Sequence, residues 1–292
     1  MSTERVLRAG LCGIGLEAYW GQFAGLKGRL DGYVEQVAVQ LTRPGIEVVN
    51  LGLIDTPARS NAAGHRCRRE DIDVLFLYVT TYALSNTVLP LVQRAGVPVI
   101  VLNLQPEAAI DYNAFNGLLD RTAMTGEWLA FCSACPAPEI ANVLLRAKIP
   151  FHQVTGMLEE AESWREIEEW LAAARVRSAL ASARLGLMGH YYSGMLDIMT
   201  DVTQVSVTFG THVELMEVDE LTRYAPRPAI AMWSGKLRTF KRHSIFSRIA
   251  RPKNCSTRRA RRWPSTPWLR ATIWTRSLTT TRVPAMRSMR TR

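Results

Sequence analysis

DVLFLYVTT (73–81) decides the fold: it is almost unbroken apolar sequence of strand length. A strand with one wet face alternates polar and apolar residues, whereas a strand covered on both faces does not. Working outward, RVLRAGLCGIG (5–15), EVVNLG (47–52), VPVIVLNL (97–104) and PFHQVTG (150–156) read as further strands. Helical patterns separate them at 17–42, 56–70, 84–95 and 137–147; the first carries Trp20, Phe23, Leu26, Leu30, Tyr33 and Val37 on one stripe. Alternating strands and helices of this kind predict an α/β fold, a doubly wound parallel sheet of Rossmann or flavodoxin type. Ligands of such sheets bind beyond the C-terminal ends of the strands. Ser163-Trp-Arg-Glu166 reads as a capping box opening a helix to about 183. A strand (183–192), a helix (193–207) and a strand (211–218) then start a second α/β unit. The domain expectation is therefore 1–178, an N-terminal α/β domain, and 179–226, the incomplete opening of a second, followed by a tail at 227–292.

Charge separates the tail from the body. The 292 residues carry a formal charge of +10, yet all 26 acidic residues lie at or before Glu220. Residues 1–220 hold 17 Lys and Arg, a balance of −9, and residues 221–292 hold 19 and no acid, a balance of +19. Four of the eight Trp, but only Gly235 among the 19 glycines, fall in the last 72 residues. The body thus reads as an acidic globular protein, and the tail as a basic segment that is disordered or poorly folded. MSTERVLRAG is too charged for a signal peptide, and no apolar run is long enough to span a bilayer, so the expectation is a soluble, cytoplasmic protein with no membrane partner. Five cysteines in a chain of this length do not make a disulfide framework.

Several motifs bear on chemistry. Gly13-Ile-Gly15-Leu-Glu-Ala18 fits the dinucleotide fingerprint, but the second strand lacks the acid that would hold a ribose, and a tight strand-to-helix turn explains the glycines as well. Cys132-Ser-Ala-Cys135 precedes a helix; redox chemistry and simple packing are both compatible with it, while zinc would need a second ligand pair. His152 and His212 read as structural residues. His190, in GHYYSGM (189–195), is flanked by two glycines just past a strand and is a candidate for ligand contact. Asp120, Arg121 and Thr122, in a polar segment after a strand, could bind hydroxyl groups or could cap a helix.

Taken together, GLCGIGLEAYWGQFAGLKGRL, LFLYVTTYALSNTVLPLVQ, VIVLNLQPEAAIDY, DRTAMTGEW, FHQVTGM, RLGLMGHYYSGMLDI and FGTHVELMEVDEL resemble the L-arabinose isomerase family, within the fucose/arabinose isomerase-like group. The strings occur in the family's order over residues 5–221. The resemblance implies two α/β domains and a β-rich third, aldose–ketose isomerisation assisted by a divalent metal, usually manganese, and a homo-oligomer with sites between subunits. It implies sugar contacts at Glu17, Tyr19 and Trp20 in the first turn, at Tyr82 after the third strand, at Arg121 and Thr122, and at Met195, close to the His190 already singled out by its placement. Two departures mark a divergent subfamily. The first turn lacks the usual Gln-His-Leu-Tyr wording, and Asn-Gln-Thr-Ala-His appears as Asp120-Arg121-Thr122-Ala123-Met124. In the family, two Glu and two His bind the metal, and all four follow the matched stretch. Here residues 221–292 contain no acid and one histidine, His243, so no catalytic or metal-binding residue is assigned and no metal is expected to bind.

The tail's wealth of Arg, Ser, Thr, Trp and Pro is what a GC-rich gene gives when translated out of frame. If each true codon is the last base of one tail codon plus the first two of the next, FKRHSIFSRIARPKNCSTRRARRWPSTPW (240–268) can be decoded as FQAAFDIQPDCPPEELQHAARTSVALDAV. Acids and helical spacing return, which places the break between 221 and 239. Three functional readings follow: a truncated, inactive sugar isomerase; a sugar-binding module without chemistry; and, ranked last, a nucleic-acid binder using Arg258, Arg259, Arg261 and Arg262 beside Trp263 and Trp268.

Overall fold

The computed structural model describes residues 5–220. Five parallel strands form one sheet: β1 (Leu7–Ile14), β2 (Ile46–Ile54), β3 (Val74–Val79), β4 (Val99–Gln105) and β5 (Phe151–Met157), in the order β2-β1-β3-β4-β5. This is the flavodoxin-like form of the doubly wound sheet. Crossovers are made by α1 (Leu26–Leu41), α2 (Pro57–Arg69), α3 (Ser85–Ala95) and, between β4 and β5, by the short α4 (Tyr112–Asn116), α5 (Arg121–Leu129) and α6 (Ala137–Arg146). α7 (Ala161–Ala181) follows β5.

The apolar run that decides the fold is buried along its whole length. Phe76 and Tyr78 of β3 enter a core shared with Leu30, Val34 and Val37 of α1 and Ile167 and Leu171 of α7. Their neighbours Leu75, Leu77 and Val79 enter the opposite core, with Cys67 of α2, Leu91 of α3 and Ile140 of α6. Each such side chain contributes about 1.5–3 kcal/mol when fully buried, on both faces of the same strand. Asp73, at the foot of β3 and 6% exposed, accepts hydrogen bonds from the backbone of Arg8 (2.9 Å), the Arg5 guanidinium (3.1 Å) and the Ser178 hydroxyl (2.8 Å). It thereby fastens the end of α7 to the feet of β1 and β3.

The elements differ from the sequence expectation at four places. β2 does not stop at Gly52. It bulges there, with Gly52 at φ +75° and its N–H bonded to the Asn50 side chain (2.9 Å), and continues to Ile54. The stripe over 17–42 is not one helix. A single 3-10 turn, Glu17–Tyr19, comes first, and α1 begins only after Gly25, whose φ of +80° no helix tolerates. α7 starts two residues before the supposed cap: Glu160 precedes it, and its carboxylate accepts from the Ser163 hydroxyl (2.6 Å) and the Met157 N–H (3.3 Å). The helix read at 193–207 is instead a 3-10 turn, Leu196–Ile198, and α8 (Val202–Phe209), because the Asp201 side chain caps the N–H of Gln204 (3.0 Å).

The described residues divide into two compact units, one of 5–185 with Thr200–Val213, the other of Gly186–Met199 with 214–220. The boundary read at 178 falls inside α7. β6 (Arg184–Met188) and β7 (His212–Met216) pair as a two-stranded sheet whose apolar residues are largely exposed, Leu215 at 72%. Among the described residues, no helix is long and apolar enough to cross a membrane. The basic tail at 227–292, with the decoded stretch 240–268, lies outside the described residues.

Candidate functional site

The strand order reverses between β1 and β3, and the loops leaving these strands part there. The edge of the opening is built tightly. The Thr80 hydroxyl after β3 donates to the Ile14 carbonyl (2.6 Å), and the Gly15 N–H donates to the Ile54 carbonyl (2.9 Å). A Cβ on Gly13 would stand 2.4 Å from Val34 Cγ2, and one on Gly15 2.8 Å from the Trp20 ring. Close packing therefore accounts for both glycines of the fingerprint.

The expected sugar contacts in the first turn have distinct surroundings. Glu17 is exposed in the 3-10 turn. The Trp20 indole N–H is committed to Asp55 (2.7 Å), a carboxylate 2% exposed that also accepts from Arg59 (2.8 and 3.0 Å). Trp20 thus anchors the turn to the end of β2. Tyr19 lies edge-on to Phe23 at 5.7 Å. Burial raises the pKa of its phenol, with Cys132, Tyr82 and Cys135 adding to the shift as neighbours. Tyr82 is 39% exposed, and its backbone lies beside the Cys132 sulfur. Tyr19, Tyr82 and the two cysteines are thus gathered at the switch point.

Beside this cluster is a cleft of about 370 Å³ between the segment 22–29 and the start of α5. Gln22, Phe23, Arg29, Asp120, Thr122 and Glu127 line it. Asp120 caps α5, accepting from the N–H groups of Thr122 (3.3 Å) and Ala123 (2.9 Å), so the segment expected as a loop is a capped helix. Thr122 faces the cleft; Arg121 is exposed and is not among the lining residues. One wall is the Phe23 side chain, against which Gly126 packs closely: a Cβ there would stand 3.3 Å from Phe23 Cβ and 3.4 Å from its ring. The opposite corner is an ion pair between Arg29 and Glu127 (2.6 Å), with Arg29 also donating to the Tyr33 hydroxyl (2.6 Å) and lying over the Phe131 ring at 5.2 Å. Burial works against the charge of Arg29, but the bonds to Glu127 and Tyr33 outweigh it and hold its pKa above the ordinary value. Sequence reasoning placed Phe23 in the core stripe and gave Arg29 and Glu127 no role. Ninety-eight positions separate that pair, and no local pattern announces it.

The remaining candidates stand apart in chemistry. His152 has structural partners: Nε2 is 2.6 Å from Glu166, and its ring lies 4.5 Å from that of Trp170. His190 and Met195 belong to the second unit. There Gly189 and Gly194 adopt φ of +88° and +91°, and His190 lies 3.7 Å from Glu217, both side chains open to solvent. Among the described residues, no group of three or more His, Cys, Asp and Glu is placed to hold a metal ion.

No protein-family model matches the chain, and no curated protein matches it. The likeness to the L-arabinose isomerases rests on the sequence strings and their order.

Proposed function

We propose that residues 5–220 carry a binding cleft for a small polyhydroxy compound, a sugar, in a divergent arabinose-isomerase-like chain that does not turn its ligand over. The observation that carries this reading is the make-up of the cleft: hydrogen-bonding side chains converge on one apolar ring at the strand-end side of a doubly wound sheet. Sugars ask for that combination. The carboxylates of Asp120 and Glu127 accept from hydroxyl groups and retain lone pairs beyond those used by the cap and by Arg29. Gln22 and Arg29 donate, Thr122 does either, and the Phe23 ring offers a face to C–H groups. A cleft of about 370 Å³ suits a monosaccharide.

In the family a divalent metal polarises the carbonyl and its neighbouring hydroxyl, while carboxylates move a proton between C1 and C2. The family's ligand positions lie beyond the matched stretch, where this chain has a basic segment without acids. We read that segment as the product of a shifted frame. The test is aldose–ketose turnover with added Mn²⁺. The 292-residue chain gives none, and a gene with the frame corrected between codons 221 and 239 gives turnover. Turnover by the chain as it stands would overturn this reading, as would its absence from the corrected protein.

A further inference from the structure

Cys132 and Cys135 lie in the continuous turn at 131–136 that joins α5 to α6. They differ sharply in access: Cys132 is 3% exposed, whereas Cys135 is open to solvent. The two thiols are electrostatic neighbours, the Tyr82 backbone lies beside the Cys132 sulfur, and both cysteines neighbour the Tyr19 phenol. Residues three apart in a helical turn hold their Cβ atoms at about 5–6 Å. A small adjustment of the turn brings them into the range of a disulfide, about 3.5–4.5 Å. Two other cysteines, Cys12 and Cys67, are buried in the core on the other face of the sheet and, among the described residues, have no such exposed partner.

We infer that Cys132 and Cys135 form a modification site, a thiol pair that closes reversibly to a disulfide, with the exposed Cys135 as the sulfur first oxidised and the buried Cys132 as the one that resolves it. The inference does not depend on the sugar reading. Hydrogen peroxide is the oxidant. The Cys135 thiolate attacks one peroxide oxygen, the O–O bond breaks, and Cys135 becomes a sulfenic acid as hydroxide leaves and takes a proton. The Cys132 sulfur then attacks the Cys135 sulfur. The S–O bond breaks, the S–S bond forms, and the departing hydroxide leaves as water with the Cys132 proton. In sum, two thiols and one peroxide give a disulfide and two waters, and two electrons pass from sulfur to oxygen. A dithiol reverses the reaction by exchange. The rarity of stable disulfides in reducing compartments is compatible with this, because the pair is a switch rather than a staple.

The test uses the full 292-residue chain, reduced and then exposed to a small excess of hydrogen peroxide. It is next unfolded in iodoacetamide, cut with trypsin and weighed. Cleavage after Arg121 and Arg146 leaves both cysteines in one peptide, 122–146. The expected result is that this peptide loses two hydrogens and takes up no alkyl group, while Cys12 and Cys67 are alkylated in full. Dithiothreitol restores two alkylatable thiols, and Cys255→Ser leaves the result unchanged. Cys132→Ser diverts Cys135 to sulfinic acid. Any of three results would overturn the inference: both thiols alkylated after peroxide, Cys135 over-oxidised beside a free Cys132 in the unaltered chain, or Cys12 and Cys67 oxidised as fast as the pair.

Discussion

Trp20→Phe keeps an aromatic ring over Gly15 and removes the indole N–H. That N–H donates at 2.7 Å to Asp55, whose side chain is fully buried. A hydrogen bond to a charged group contributes about 1.5–3 kcal/mol, and the carboxylate left short of one partner remains out of water. Arg59 still contacts both oxygens, but its own side chain is 56% exposed and compensates only in part. The expected loss is about 2 kcal/mol. For a folded body of this size that lowers the melting temperature by about 4–8 °C. Thermal unfolding followed by near-ultraviolet circular dichroism reads the change directly. Arg59→Met alone costs about 1 kcal/mol or less, since Trp20 still holds Asp55. The double variant loses more than the two together, because the charge is then buried with neither partner. A melting temperature for Trp20→Phe within about 1 °C of the parent, or strict additivity in the double variant, would refute this account of how the turn carrying Glu17 and Tyr19 is pinned.

Other consequences can be checked on the same protein. Gly13→Ala sets a methyl 2.4 Å from Val34 Cγ2 and destabilises by about 1–3 kcal/mol, and Val34→Ala in that background recovers part of the loss in urea titrations. Burial pushes the Cys67 thiol up from 9.0 to about 11. Because its folded-state pKa is raised, its contribution to stability is whole below pH 9 and is lost as pH rises through 11, at about 1.4 kcal/mol per pH unit. Chemical denaturation at successive pH values shows that slope as one part of the total, and Cys67→Ala lowers the total by about 1.4 kcal/mol per pH unit. Gly126→Val sets a branched side chain against Phe23 at the cleft wall, so ligand binding is lost; crowding against Phe23 outweighs the gain from replacing a poor helix former within α5 and lowers the melting temperature by a few degrees, while the near-ultraviolet circular dichroism stays native.

What could be read from the sequence was what repeats along it. DVLFLYVTT announces a doubly covered strand because every side chain in it meets a core, and the periodic helices around it then leave a doubly wound parallel sheet, without choosing its strand order. Local exceptions were harder. Gly52 ends a run of strand-like residues, and only the bond from its N–H to the Asn50 side chain shows that the strand bulges and goes on. Gly25 divides an otherwise continuous helical stripe because it takes a left-handed conformation, which a hydrophobic pattern does not register. Asp120 was ambiguous between ligand binding and capping; it caps α5 and lines the cleft as well. Least legible was the pairing of Arg29 with Glu127, where two helices far apart in sequence meet. The contact of Cys132 with the Tyr82 backbone is of the same kind: it depends on how β3 and the turn before α6 are stacked, which spacing along the chain does not encode.

The central claim is that the cleft between the segment 22–29 and α5 binds a sugar. Isothermal titration calorimetry of the 292-residue chain against a panel of pentoses and hexoses tests it most directly. The account predicts saturable heat with at least one of them, and its loss in Gly126→Val with the fold intact. The absence of heat with every sugar, or undiminished binding in Gly126→Val, would contradict it.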